Sequence, residues 1–363
     1  MERNRCVNID WLEVFCYEPP ENPRTPEYYE IMGYKVERRG YGTRMYAQMF
    51  TIQDPEGIPL IECRREPTSL KQNGGIFELG ACHYRLVNRT CYVNNPIDFL
   101  REFLIIHSLK FQSIKRLDIC LDFNQFDSGK NPSKFVAEFM RGEIAKINQA
   151  NISAHGKDGW DGRIWNSLKW GAPTSAVSTK LYNKTLELKE GTDKPWIREN
   201  WKLAGLTNQK DVWRVEFSIN SNSNTIIDKN TGEYVLKSLD TYDDKRKLMF
   251  QWHVLASHYF HFKKKELTRN GTLKPKNRCA DVPTFVYKGD ERYFTPSTLT
   301  FKKLPGRFEK IIIRKLLNIA TDKSVPDYVR EAAEQATNAF FIRYETRNFS
   351  KALQSLIDWE QAF

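Results

Sequence analysis

Apolar and polar residues alternate in several short runs along this chain, the period of a strand with one buried face. Such runs cover Ile9–Phe15, Arg44–Ile52 and Ile58–Cys63. The last two are joined by Asp54-Pro55-Glu56-Gly57, whose proline and glycine predict a hairpin turn. Further strands are predicted over Arg116–Phe123, Arg163–Trp170, Val177–Glu187 and Val212–Ile219. A helical period takes over in Pro96–Leu109, with Phe99, Phe103, Leu104 and Ile106 in step, and in Ser133–Ile147, which Asn131-Pro132 opens as a capping residue and first-turn proline. Gly156–Gly162 and Ser221–Asn230 read as exposed connections. From about Leu248 the pattern turns more helical, most clearly in Phe308–Ile319 and Pro326–Phe341. The expectation is an α+β fold with a mainly antiparallel central sheet and flanking helices, residues 1–245, followed by a basic, more helical C-terminal region, 246–363. No Pro- or Gly-rich linker marks that division, and no repeat of solenoid period is present.

Composition adds a partner to this picture. With 363 residues and 40% hydrophobic content the chain has ample core, which excludes disorder as its dominant state. Its 56 Lys and Arg exceed its 45 Asp and Glu by 11, and the excess is local: residues 263–315 hold 15 cations against 5 anions. The stretch runs from Lys263, Lys264 and Lys265 through Lys274, Lys276 and Arg278 to Lys302, Lys303 and Arg307, with Tyr287, Tyr293 and Phe294 interleaved. Cations among aromatics suit a nucleic-acid backbone, with a solvated face as the plainer alternative. The seven cysteines lack a CxxC pair or zinc spacing, which points to reduced thiols in a cytoplasm. Asp10 and Glu13 interrupt any secretion signal, and the uncharged stretch Leu248–Phe262 is too short and too polar for a membrane span. His253, His258 and His261 lie among Trp252, Tyr259, Phe260 and Phe262, the mark of a packed amphipathic element more than of a metal site. No G-x-x-x-x-G-K-[ST] occurs, so nothing suggests an ATPase.

Strand parity gathers the chemistry. Residues two apart share a face, so Arg116, Asp118, Cys120 and Asp122 project together, as do Arg214, Glu216 and Ser218, and Lys180, Tyr182 and Lys184. If these faces belong to one side of one sheet, three carboxylates, a tyrosine and several cations converge. Hard carboxylate oxygens suit Mg²⁺ or Mn²⁺, which polarises a phosphodiester for attack by a tyrosine hydroxyl. Lys180 and Lys184 could favour the phenolate. The other reading is three solvated faces cross-linked by ion pairs, with Cys120 a small core filler.

The order RLDICLD, WGAPTS, TKLYNKTLE, VWRVEFSI resembles the Rep_trans-type rolling-circle replication initiators of plasmids, phages and integrative elements, including related conjugative nickases. Those proteins carry an R-x-D-x-x-x-D strand, a Gly-Ser segment before an R-x-Y-x-K-x-x-E strand, and an R-x-E strand. The resemblance spans Asp10 to Ser218. It departs at Lys180, where arginine is common, at Asn183, where an acidic residue is common, and in the stretched segment Gly171–Ser175. The likeness implies a nickase whose Tyr182 becomes linked to the 5′ phosphate of the cut strand. Lys184 would contact phosphate, Arg214 would orient a carboxylate or phosphate, and Asp118, Asp122 and Glu216 would be metal ligands, Asp118 and Glu216 ahead of Asp122. Glu187 also matches. Lys180, Lys263, Lys264, Lys265, Lys274, Lys276 and Arg278 would contact DNA, as origin duplex and single strand. A host or element helicase and polymerase, and a second protomer, are the implied partners. The competing readings are a relaxase for conjugative mobilisation and a non-catalytic DNA-binding protein.

Overall fold

A computed structural model describes residues 5–68, 80–93, 95–147, 151–159, 162–172, 175–206, 210–220, 226–228, 236, 238–286, 299–301, 316, 318–322, 324–331 and 333–335. The chain opens with β1 (Arg5–Tyr17), α1 (Pro26–Ile31), β2 (Lys35–Arg38), β3 (Tyr46–Gln53), β4 (Pro59–Pro67) and β5 (Ala81–Leu86). Then come α2 (Asn88–Val93), α3 (Pro96–Ile106), β6 (Lys110–Phe123), α4 (Pro132–Met140), β7 (Ile144–Lys146), β8 (Ile152–Gly159), β9 (Gly162–Trp170) and β10 (Val177–Asn183). It continues with α5 (Lys184–Glu190), α6 (Pro195–Leu203), β11 (Trp213–Asn220), β12 (Ile226–Asp228), α7 (Lys245–Tyr259), β13 (Phe262–Lys264) and β14 (Leu299–Phe301).

Ten strands form one sheet in the order β2-β3-β4-β5-β1-β6-β11-β10-β9-β8, every neighbouring pair antiparallel. This is the expected α+β architecture. The helix starts follow from local chemistry: Asn95, Asn131 and Asp244 each turn a side-chain oxygen onto the free N–H groups of the first turn of α3, α4 and α7. One face of the sheet is apolar. There Leu117, Ile119, Leu121, Val215, Phe217 and Leu181 are buried, and Trp252 of α7 packs on Phe217 with ring centroids 5.6 Å apart. The Trp252 indole also donates to the Val215 carbonyl at 3.3 Å. The helix that opens at Lys245 therefore shares its core with the sheet.

Three elements differ from the pattern in the sequence. The helix expected over Ser133–Ile147 stops at Met140, because Gly142 turns left-handed at φ +75°, and Ile144–Lys146 instead pairs with β13. The strand expected over Val177–Glu187 stops at Asn183, whose side chain accepts from the Leu186 N–H and starts α5. Gly156–Gly159 and Gly162 are strand residues of the paired β8 and β9, while residues 160 and 161 lie outside the described residues. A Cβ at Gly156 would come within 2.5 Å of the Ile164 carbonyl oxygen, so the close strand approach requires glycine. Residues 318–321 and 327–331 are helical, while most of Phe308–Ile319 and much of Pro326–Phe341 lie outside the described residues, as does most of Ser221–Asn230. Among the described residues no helix is long and apolar enough to cross a membrane.

Candidate active site

The three motif strands are neighbours, β6-β11-β10, and their register sets the site. Asp122 lies opposite Arg214 and Arg214 opposite Tyr182; one step along the same face, Cys120, Glu216 and Lys180 form the next row; Asp118, Ser218 and Ser178 form the third. The polar faces predicted from parity are thus one side of one sheet.

Two clusters form on it. In the first, the Tyr182 hydroxyl donates to Glu216 Oε2 at 3.0 Å, and Lys180 Nζ lies 3.1 Å from Glu216 Oε1. Arg116 grips Asp118 with two nitrogens, Nε to Oδ1 at 2.9 Å and Nη2 to Oδ2 at 2.5 Å. Tyr182 is half-buried, whereas Glu216 and Asp118 are each 3% exposed. Burial and the Glu216 charge push the phenol well above its ordinary pKa, so at rest the hydroxyl is neutral and holds its proton toward a carboxylate. Burial, with Glu216 repulsion added, raises Asp118 to about 6 despite Arg116. The Glu216 charge raises the Lys180 pKa in turn.

In the second cluster Arg214, fully buried, donates from Nε to Asp122 Oδ1 at 2.6 Å, from Nη2 to Asp122 Oδ2 at 2.8 Å and from Nη1 to Asp10 Oδ1 at 2.6 Å. Trp201 donates to Asp122 Oδ2 at 2.6 Å, and the Tyr92 hydroxyl to Asp10 Oδ1 at 2.5 Å. Burial opposes the Asp10 charge, but Arg214 and Lys184 outweigh it and hold that carboxyl below its ordinary range. Asp122 is fully buried and its oxygens are taken up by Arg214 and Trp201. It lies four residues from Asp118, about 13 Å along a strand, so the three proposed metal ligands do not meet at one point. Asp118 and Glu216 are diagonal neighbours on adjacent strands.

Lys184 stays beside Tyr182, near Arg214 and Asp10. As the first residue of α5 it turns inward, 1% exposed, with Nζ 5.4 Å from the centre of the Tyr182 ring and 2.8 Å from Glu187 Oε2. Burial and Arg214 lower its pKa. Cys120 is wholly buried beneath this face, and burial raises its thiol far above the ordinary value, as befits a filler.

No family model matches the chain, and no curated protein matches it. Among solved structures it is similar to a rolling circle replication initiator protein from Geobacillus stearothermophilus, with 14% identity and a TM-score of 0.46 over 77% of this chain and 92% of that one.

Among the described residues no three His, Cys, Asp or Glu side chains gather around a point. Asp118 and Glu216 are diagonal neighbours on β6 and β11, and burial, with the Glu216 charge added, raises Asp118. A donor set of one or two carboxylates completed by phosphate oxygens and water is the usual home of Mg²⁺. Both oxygens of Asp118 are engaged by Arg116 and those of Glu216 by Lys180 and Tyr182, as those of Asp122 are by Arg214 and Trp201, so a cation at Asp118 and Glu216 would have to share or displace these partners.

The basic stretch resolves into different roles. Lys263 reaches Asp281 at 2.9 Å and Lys274 reaches Glu266 at 2.7 Å, while Lys264, Lys265, Lys276 and Arg278 are exposed. Lys302, Lys303, Arg307, Tyr287, Tyr293 and Phe294 lie outside the described residues. Parity alone could not reveal Asp10, Tyr92 or Trp201. Asp10 enters through a bulge in β1 between Ile9 and Trp11, and the other two come from α2 and α6, which left no clear trace in the alternation.

Proposed function

We propose that this chain is a metal-dependent tyrosine DNA nickase that starts rolling-circle replication. The observation that carries the reading is the Tyr182 hydroxyl donating to the buried carboxylate of Glu216, beside Asp118, on three adjacent strands with the motif order of that initiator class. Glu216 fixes the phenol oxygen and accepts its proton as the oxygen bonds to phosphorus. The P–O3′ bond breaks, leaving a 5′-phosphotyrosine and a 3′ oxygen that takes up a proton and can prime a polymerase. Lys180 and Arg116, partly exposed beside the two carboxylates, supply positive charge for the phosphate in its transition state. Asp118 and Glu216 would hold a Mg²⁺ or Mn²⁺ ion, which when bound withdraws electron density from the phosphate. Arg214, Asp122 and Asp10 form the rigid base beneath Tyr182, and the exposed cations near Lys264 and Arg278 grip origin duplex. A relaxase for mobilisation would use the same residues on a transfer origin.

The pairing of Asp118 with Arg116 and of Glu216 with Lys180 favours a second reading, a DNA-binding protein in which these carboxylates only make salt bridges. The test incubates the chain with Mn²⁺ and single-stranded oligonucleotides tiled across the DNA flanking its gene, followed by a denaturing gel. The wild type should give a shifted covalent band and Tyr182→Phe none. A band from Tyr182→Phe overturns the nucleophile. Retained DNA binding with no band from either protein favours the second reading.

A further inference from the structure

On the same polar face, one strand beyond Asp118, stands Trp11 of β1, directly opposite Asp118 in the register. Its half-exposed ring lies between two guanidinium groups: the central carbons of Arg85 from β5 and of Arg116 from β6 are each 4.3 Å from its centre. The far ends of both arginines are fixed, Arg116 by the two-point grip on Asp118 and Arg85 by Glu62 at 2.5 Å. The result is a rigid stack of planar groups whose outer member, Arg116, keeps 36% of its side chain exposed. Ser218, buried, and Ser178, half-buried, face each other across β11 and β10 and put two short side chains between the row of Arg116 and the Lys180–Glu216 pair.

A flat cationic wall, a low polar floor and a neighbouring phosphate site suit one ligand: an unpaired nucleotide, its base on the guanidinium plane and its phosphate near Lys180. A base inside a duplex has both faces covered by its stacked neighbours. We infer that Arg116, backed by Trp11 and floored by Ser178 and Ser218, is the subsite for the single-stranded DNA nucleotide next to the scissile phosphate. The inference rests on the nickase reading for the position of that phosphate. Trp11 is a positioning residue here, acting through Arg116.

The test measures binding of the full chain, without divalent metal, to a fluorescein-labelled 15-nucleotide oligothymidylate and to a 15-base-pair duplex. Trp11→Ala should weaken single-strand binding by about 5- to 150-fold, the range of one lost stacking contact, while duplex binding stays within twofold. Trp11→Phe should restore most of it. Ser178→Leu, at a half-exposed position that tolerates bulk, should fill the floor and cause a similar single-strand loss; it decides the matter if Trp11→Ala fails to fold. Single-strand affinity within twofold of wild type in folded Trp11→Ala or in Ser178→Leu overturns the inference. Equal losses on single strand and duplex also overturn it. Trp11-dependent strand binding without any covalent adduct would leave the subsite standing and remove the nickase reading.

Discussion

Asp118 is held in the folded protein at a protonation cost that its replacement should expose. Its carboxyl, 3% exposed, titrates near 6 instead of the ordinary 3.8, raised by burial and then by Glu216, with Arg116 opposing. Below about pH 4 the group is protonated in both folded and unfolded chains and contributes nothing to pH dependence. Between 4 and 6 the unfolded chain has released this proton while the folded one keeps it, so unfolding releases a proton and stability falls as pH rises. Above 6 both states are ionised and the loss is complete. A shift of this size corresponds to about 3 kcal/mol. Asn at 118 keeps an oxygen for Arg116 and cannot ionise. Urea unfolding at half-unit steps from pH 4.5 to 7.5 should therefore show Asp118→Asn gaining on wild type as pH rises, by about 2 kcal/mol across the window, the rest of the loss falling below pH 4.5. Any constant offset from the altered Arg116 contact shifts the whole curve and leaves this slope intact. Mn²⁺ at pH 7.5 should stabilise wild type and leave the variant unmoved. Parallel curves for the two proteins would refute the argument, since every other titrating group is common to both.

The remaining expectations concern the base of the site and the basic loop. Arg214→Ala strands the buried carboxylate of Asp122 and removes one partner of the partly buried Asp10, and should cost about 3 to 5 kcal/mol in urea unfolding, with a loss under 1 kcal/mol counting against the buried network; Arg214→Met combined with Asp122→Leu should recover much of it. Replacing Lys264, Lys265, Lys276 and Arg278 together by Gln should flatten the log–log salt dependence of duplex binding by about 0.9 for each phosphate contact removed. An unchanged slope would take these residues off the DNA.

What the sequence reveals and what it hides follow from the range of each signal. A period of two is local and strong, so the common face of Asp118, Glu216 and Tyr182 was legible, as was the antiparallel sheet that carries them. Depth along a strand is another matter. Asp122 shares the face of Asp118, yet four residues at about 3.3 Å each carry it into the Arg214 cluster, so parity assigns a side and never a distance. Where the period ends was equally hidden. Asn183 closes β10 because its side chain finds the Leu186 N–H, so Lys184 opens a helix and becomes a buried cation beside the Tyr182 ring. The bulge in β1 does the reverse: it brings Asp10 to Arg214 while Trp11 stays opposite Asp118. Two consecutive residues thus serve the polar side, one bracing the base of the site and the other its approach, an arrangement that strict alternation forbids.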